Sequence, residues 1–203
     1  MKKSRRLISC LFVAAASLAA VVGAQAQSSE PSSQSGYGMY APGAGYIGLN
    51  VGRSDFMVGN GVGIFNHDQG DTAYNIYAGG YFNNNFGVEI GYTDFGRVNR
   101  AGGRTKADGL NLSLVGKLPV SNMFNLLGKI GTTYGRTDVS SAAGSGVTAG
   151  TDNGFDWSYG VGAEYSFTPK WSAVAQYDEH YLKFPGSGRD RVSVATLGVR
   201  YGF

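Results

Sequence analysis

Between Tyr46 and Phe203, apolar side chains recur at every second residue in eight successive segments, separated by stretches rich in Gly, Asn, Asp, Ser and Pro. Successive side chains of an extended chain point to opposite faces, so a period of two makes each segment a two-faced strand. In the first, Ile47, Leu49 and Val51 oppose Gly48, Asn50 and Gly52. The second, about Thr72–Phe82, sets Tyr74, Ile76, Ala78 and Phe82 against Asn75, Gly79 and Tyr81. Phe86, Val88, Ile90 and Tyr92 oppose Gly87, Glu89, Gly91 and Thr93 in the third. The fourth carries Leu110, Leu112, Leu114 and Leu118 against Asn111, Ser113 and Lys117, and the fifth Leu126, Ile130 and Tyr134 against Lys129, Gly131 and Thr133. The sixth alternates from Trp157 to Phe167 around Ser158, Gly160, Gly162, Glu164 and Ser166. The seventh, Trp171 to about Glu179, is weaker, because Val174 interrupts its polar side of Ser172, Gln176 and Asp178. The eighth, about Arg191–Phe203, sets Leu197, Val199, Tyr201 and Phe203 against Gly198, Arg200 and Gly202.

Eight such strands fit either a soluble sandwich or a barrel, and the polar face separates the two. A sandwich turns its apolar faces together and leaves Lys and Glu outside. Here the polar face is mostly Gly, Ser, Asn and Thr with isolated charges, which suits the crowded lumen of a narrow barrel whose apolar side faces lipid. Connections also alternate in length. Asn83-Asn84-Asn85, Pro119–Met123 and Thr168-Pro169-Lys170 are short, whereas Ser54–Asp71, Asp94–Asp108, Arg136–Asp156 and Glu179–Asp190 are long and polar. Transmembrane barrels pair short periplasmic turns with long outer loops in this way. Tyr81, Phe82, Phe86, Phe167 and Trp171 gather at strand ends, where interfacial girdles belong. The expected fold is all-β, an eight-stranded antiparallel transmembrane up-and-down β-barrel over residues 46–203.

The chain begins with Lys2, Lys3, Arg5 and Arg6, an apolar run from Leu7 to Val22, and Gly23-Ala24-Gln25-Ala26. That is the layout of a secretory signal peptide cleaved after Ala26, and the run is shorter than the roughly 20 residues of a membrane-spanning helix. Cys10 is the only cysteine; its Leu7-Ile8-Ser9-Cys10 setting resembles a lipobox but has the hydrophobic core on the wrong side, so lipidation is not expected. With residues 1–26 removed, neither disulfides nor cysteine chemistry remain. Four of the 17 Lys and Arg lie in the signal, leaving 13 against 14 Asp and Glu, so the basic balance is no argument for nucleic-acid binding. Residues 27–45, rich in Ser, Gly, Pro and Gln, read as a flexible leader.

The segments Phe86-Gly87-Val88-Glu89-Ile90-Gly91-Tyr92-Thr93-Asp94-Phe95-Gly96, Tyr159-Gly160-Val161-Gly162-Ala163-Glu164-Tyr165 and Leu197-Gly198-Val199-Arg200-Tyr201-Gly202-Phe203 together resemble the eight-stranded barrels of the OmpA type and their small stand-alone relatives. The resemblance spans about Tyr46–Phe203. It implies an integral protein of the cell outer membrane, whose terminal strand (Leu197, Val199, Tyr201 and Phe203) is read by the barrel-assembly machinery. It also implies a lumen network of charged side chains, for which Glu89, Lys117, Lys129, Glu164 and Arg200 are the candidates. Buried charges are costly without partners, so these should pair. The prototype has a basic residue on the seventh strand where Val174 stands here. The peptidoglycan-binding domain of full-length members is expected to be missing, so wall anchoring is not implied.

Some small outer-membrane barrels are lipid-modifying enzymes or proteases, and His67 beside Asp68 and His180 near Asp178 and Glu179 are the residues to weigh for acid–base work. Neighbours on a strand face opposite ways, and no His-x-Ser pattern occurs, so both histidines read as solvated loop residues and no catalysis or cofactor is expected. Asp55, Asp68, Asp71, Asp152 and Asp156 lack the spacing of a calcium loop and read as solvated loop charges. Arg97, Arg100, Arg104 and Lys106 form a cationic cluster, either simply solvated or placed to meet lipopolysaccharide phosphates, which suit the arginine fork. The expected role is that of a monomeric structural or surface-interacting barrel in outer-membrane lipid. Eight strands are too few for a general porin; a narrow ion path is the alternative, since Gly-rich inner faces leave room for water.

Overall fold

The computed structural model describes residues 44–56, 70–100, 103–140, 148–185 and 188–203. The signal peptide, nearly all of the expected leader, His67, Asp68 and Cys10 lie outside these. Eight strands follow one another: β1 (Gly45–Phe56), β2 (Gly70–Tyr81), β3 (Phe86–Arg100), β4 (Gly103–Pro119), β5 (Phe124–Ser140), β6 (Gly150–Ser166), β7 (Trp171–Phe184) and β8 (Gly188–Gly202). Each pairs antiparallel with the next, and β8 returns to β1 through Ile47↔Tyr201, Leu49↔Val199 and Val51↔Leu197, so the sheet is closed. Closure removes both sheet edges, the condition for β-structure in lipid. Leu49, Leu112, Val161 and Leu197 are each more than half exposed and form part of an apolar outer belt.

Three tight turns join the strands at the end that carries Gly45 and Phe203. A polar side chain braces each. Asn83 Oδ1 accepts from the Asn85 and Phe86 amides at 2.9 and 2.7 Å. Ser121 Oγ accepts from Phe124 N at 3.2 Å and Thr168 Oγ1 from Trp171 N at 2.9 Å. Side-chain acceptors of this kind stabilise short reversals. Tyr81, expected in the interfacial girdle, instead points into the lumen and is 1% exposed.

At the opposite end the strands outrun the belt. A tilted strand crosses a bilayer in about 9–11 residues, whereas β4, β5 and β6 have 17 each. Much of the sequence expected as long loops is therefore strand: β3 and β4 meet across Asn99↔Arg104 within the expected Asp94–Asp108 loop, and β7 and β8 across Lys183↔Arg189 within the expected Glu179–Asp190 loop. The polarity of the two faces inverts at the rim. Above Val51, Tyr92, Leu110, Tyr134 and Tyr177 the outer face becomes charged, and the inner face becomes Phe56, Phe95, Val98, Ala107, Leu182, Phe184, Val192 and Val194 in one buried cluster. This collar is built like a water-soluble β-protein. A bulge between Asp94 and Arg97 also shifts the register, with Gly96 at φ +78, where a Cβ would stand 2.6 Å from the Thr72 carbonyl oxygen.

β6 and β7 part company in the collar. Their pairing begins at Ser166↔Ser172 and stops at Ser158↔His180, although both strands continue. The tip of β7 leans across the mouth toward β5, where Thr137 Oγ1 donates to the Lys183 carbonyl at 2.5 Å and Gly135 leaves space for Leu182. Arg189 Nε meets Asp156 Oδ2 at 2.7 Å across the seam. Two amides of upper β6 are capped locally: Asn153 N by Asp152 Oδ1 at 2.8 Å and Trp157 N by Asp156 Oδ1 at 3.2 Å. Such caps blunt a strand edge against unwanted pairing.

Candidate functional site: a charged lumen beneath an apolar cap

Inward positions of six strands bring charged groups together in the membrane-spanning part of the barrel. Lys129 Nζ lies 2.7 Å from Glu89 Oε1, Arg200 Nη2 3.5 Å from Glu89 Oε2, and Arg200 Nη1 3.4 Å from Glu164 Oε1. Tyr46 donates to Glu89 Oε2 at 3.0 Å; Ser172 and Asn125 donate to the two oxygens of Glu164 at 2.7 and 3.2 Å. Lys117 sits 4.4 Å from the centre of the Tyr81 ring, and the Arg200 guanidinium 4.1 Å from that of Tyr46. All five charged residues proposed from sequence thus share one assembly. Three lumen tyrosines, Tyr46, Tyr77 and Tyr81, complete it; alternation marks them as inward, yet their aromatic character argues for the lipid side.

Two of the inner glycines make room for rings rather than for water. A Cβ on Gly48 would stand 2.2 Å from Tyr77 Cζ, and one on Gly79 2.6 Å from the Tyr46 hydroxyl oxygen. Their space is taken by rings. Val174 is inward and fully buried, and β7 contributes its charge two inward positions higher, at Asp178. With Asp178 the lumen holds three carboxylates, Glu89, Glu164 and Asp178, against three cations, Lys117, Lys129 and Arg200.

A polar layer lies above this network. Asn50 Nδ2 donates to Gln176 Oε1 at 2.7 Å, and Asn111 bridges Thr93 and Thr133 at 2.7 and 2.9 Å. Glu89, Lys129, Asp178, His180, Asn75 and Ser158 border a cavity of about 20 Å³, room for roughly one water. His180 is not a solvated loop residue. It is 6% exposed, with Nδ1 2.8 Å from Thr133 Oγ1 and its ring edge-on to Phe95 at 4.9 Å. Ser172, Val174, Gln176, Asp178, His180, Leu182 and Phe184 form one inward row, and only their change from polar to apolar hid its continuation. The apolar collar cluster closes the lumen above His180.

Outside, Arg97 and Lys106 are cross-strand partners on the collar, Arg104 lies further out, and Lys106 Nζ is 3.7 Å from Asp94 Oδ2. Arg100 shares their hairpin; its side chain is outside the described residues. Asp156, expected as a solvated loop charge, is 5% exposed because Arg189 covers it; Asp55, Asp71 and Asp152 also belong to strands. On β8, Leu197, Val199 and Phe203 are exposed on the belt, Tyr201 packs on Trp171 at 4.9 Å, and Phe203 N donates to the Gly45 carbonyl at 3.0 Å.

A closed eight-stranded sheet with an apolar exterior and an ion-paired lumen defines a small transmembrane β-barrel. The chain belongs to the outer membrane protein beta-barrel domain family, whose pattern it matches over residues 12–203, and it is an integral protein of the outer membrane. It is 28% identical over 142 residues to outer membrane protein A of Yersinia pseudotuberculosis, an alignment covering 65% of this chain and 40% of that protein. Neisserial surface protein A superposes with a TM-score of 0.60 at 15% identity, over 78% of this chain and 97% of that structure. Ail, the attachment invasion locus protein of Yersinia pestis, gives 0.54 at 20% identity, over 79% and 98%. At these identities the two structural likenesses are of fold.

Proposed function

We propose that this barrel works from its outer surface, as a closed, monomeric structural and surface-interacting protein without catalysis or cofactor. The observation that carries the reading is the double filling of the lumen, by ion pairs and tyrosines below and by the apolar cluster above. A solute path would have to break both. The collar meanwhile holds a charged outer wall above the bilayer on rigid strands. On that wall Arg97, Arg104 and Lys106, together with Arg100 of the same hairpin, are the candidates for meeting lipopolysaccharide phosphates, and Leu197, Val199, Tyr201 and Phe203 serve as the signal for the barrel-assembly machinery. Planar-bilayer recording tests the closed lumen: no steady conductance is expected. Steady channels that vanish in Glu89→Gln or Lys129→Met would overturn it in favour of a narrow pore. Alanine at all four cations should weaken lipopolysaccharide binding; unchanged binding would remove them from the interaction.

A further inference from the structure

The outer wall where β1, β8 and β7 meet carries a notch set by the strand registers. At the rim, where belt gives way to collar, Arg53 and Tyr177 flank Ala195; one level higher, Asp55 and Glu179 flank Ser193. Small residues occupy the middle strand at both levels, with large or charged ones on either side. The hollow has a volume of about 380 Å³. Its Tyr177 wall is held from behind: Glu179 accepts from the Tyr177 hydroxyl at 3.4 Å, and also from the Tyr159 hydroxyl and from Arg191 Nη1 at 3.2 Å. On its floor Ser193 is 5% exposed, and its Oγ has no hydrogen-bond partner among the described residues. Below the notch, Ala163, Ala173 and Ala175 make a shallow furrow down the belt, through Ala163↔Ala175 and Ala173↔Val199.

We propose that this notch binds the phosphorylated sugar headgroup of an outer-leaflet glycolipid, with an acyl chain lying in the alanine furrow. The chemistry follows the position of each group. Arg53 presents guanidinium donors suited to a phosphate. Asp55 accepts from sugar hydroxyls, Ser193 supplies the hydroxyl left unsatisfied in the protein, and Tyr177 offers a ring face with a polar tip at the interface. A simple anionic phospholipid such as phosphatidylglycerol would satisfy Arg53 and could offer a glycerol hydroxyl to Asp55, but it has no sugar ring to lie on the Tyr177 face. The site is separate from the cations of β3 and β4, which lie across the barrel.

The test is native mass spectrometry of the folded protein released from nanodiscs containing purified lipopolysaccharide or, separately, phosphatidylglycerol. The wild type is expected to retain one lipopolysaccharide in preference to phosphatidylglycerol. Ala195→Trp, which fills the notch with a residue at home at a membrane interface, should reduce retention at least tenfold. The pair Arg53→Ala and Ser193→Val should do the same without adding bulk, so a folding defect in either variant, detected by loss of heat-modifiable mobility, leaves the other to decide. Alanine at Arg97, Arg100, Arg104 and Lys106 should keep the retained copy. Equal retention of phosphatidylglycerol, undiminished retention in the folded notch variants, or loss only in the β3–β4 variant would overturn the proposal.

Discussion

Arg200 Nη1 lies 3.4 Å from Glu164 Oε1 with both side chains wholly removed from solvent, and the same guanidinium reaches Glu89 on the far side. One residue on β8 therefore neutralises carboxylates on β6 and β3. Removing one partner of a buried ionic group costs about 3–5 kcal/mol, because the other charge stays behind unpaired. Arg200→Met leaves Glu164 with neutral donors alone and takes the second cation from Glu89, which keeps Lys129, so it should lower the urea midpoint of the folded barrel in detergent by more than Glu164→Gln does. Tryptophan fluorescence reads the transition, and a wild-type midpoint for Arg200→Met would mean that the network does not stabilise the fold.

Gly48 faces the lumen where Tyr77 crosses it, with Tyr77 Cζ 2.2 Å from any added Cβ. Gly48→Val should destabilise by about 1–3 kcal/mol through overpacking. Combining it with Tyr77→Ala should recover part of the loss, a non-additivity that the same urea titration detects.

Glu179 and Asp108 stand outside the membrane belt and shift in opposite directions. The Tyr159 hydroxyl, with help from Arg191, holds the Glu179 carboxyl below its ordinary value against the opposing effect of burial. Burial pushes Asp108 up, Lys106 opposes that, and Asp94 adds to it. A depressed acid contributes stability above its unfolded pKa and loses it as pH falls through the folded value; a raised acid contributes stability below its unfolded pKa and loses it as pH rises through the folded one. Glu179→Gln should therefore destabilise at pH 7 and converge with the wild type in acid. Asp108→Asn should stabilise at pH 7 and likewise converge in acid. Unfolding midpoints from pH 7 to 3 decide, and salt should shrink the Glu179 effect, since its partner Arg191 is 37% exposed at the outer surface and screened by solvent ions.

Arg189 covers Asp156 at the seam between β6 and β7, with 2.7 Å between Nε and Oδ2. Arg189→Ala should leave the lower barrel intact and raise hydrogen exchange in Tyr181–Phe184 and Gly188–Val192. Exchange unchanged at those amides would show that Thr137 and the apolar cluster suffice to hold the hairpin.

Phe203 ties the end of β8 to Gly45, its amide on the Gly45 carbonyl and its ring where a Gly45 side chain would be. Deleting it should reduce heat-modifiable barrel in the outer membrane several-fold while leaving refolding in detergent largely unaffected. Equal loss in both settings would assign Phe203 to packing rather than to assembly.

The spanning half of the barrel was legible because lipid imposes one rule on it: apolar outward and small or paired polar inward, residue by residue. That rule located Glu89, Lys117, Lys129, Glu164 and Arg200 on one side of the wall and Leu197, Val199 and Phe203 on the other. It also put Tyr81 on the polar face, and the girdle reading of Tyr81 failed because a ring alone does not say whether lipid or a guanidinium receives it. The rule itself failed above the belt, where Phe95, Val98, Leu182 and Val192 are apolar on the inner face and the outer face is charged. Alternation continues there with its sense reversed, and at the Gly96 bulge with its phase shifted, so a strand reads as an irregular polar loop. His180 was misplaced for that reason. The notch on β1, β7 and β8 depends on which strands are neighbours at which level, and the sequence of any single strand does not contain that.

The inversion of the two faces at the rim also acts as a built-in depth gauge. Sliding outward would strip the belt of hydrocarbon, and sliding inward would drag charged collar residues such as Arg53, Asp108 and Arg136 into it, so both displacements are opposed. Hydrophobic mismatch is ordinarily relieved by tilt or by local thinning of the bilayer. A wall whose polarity changes within one residue step leaves little latitude for tilt, and the lipid around this barrel is the more compliant partner.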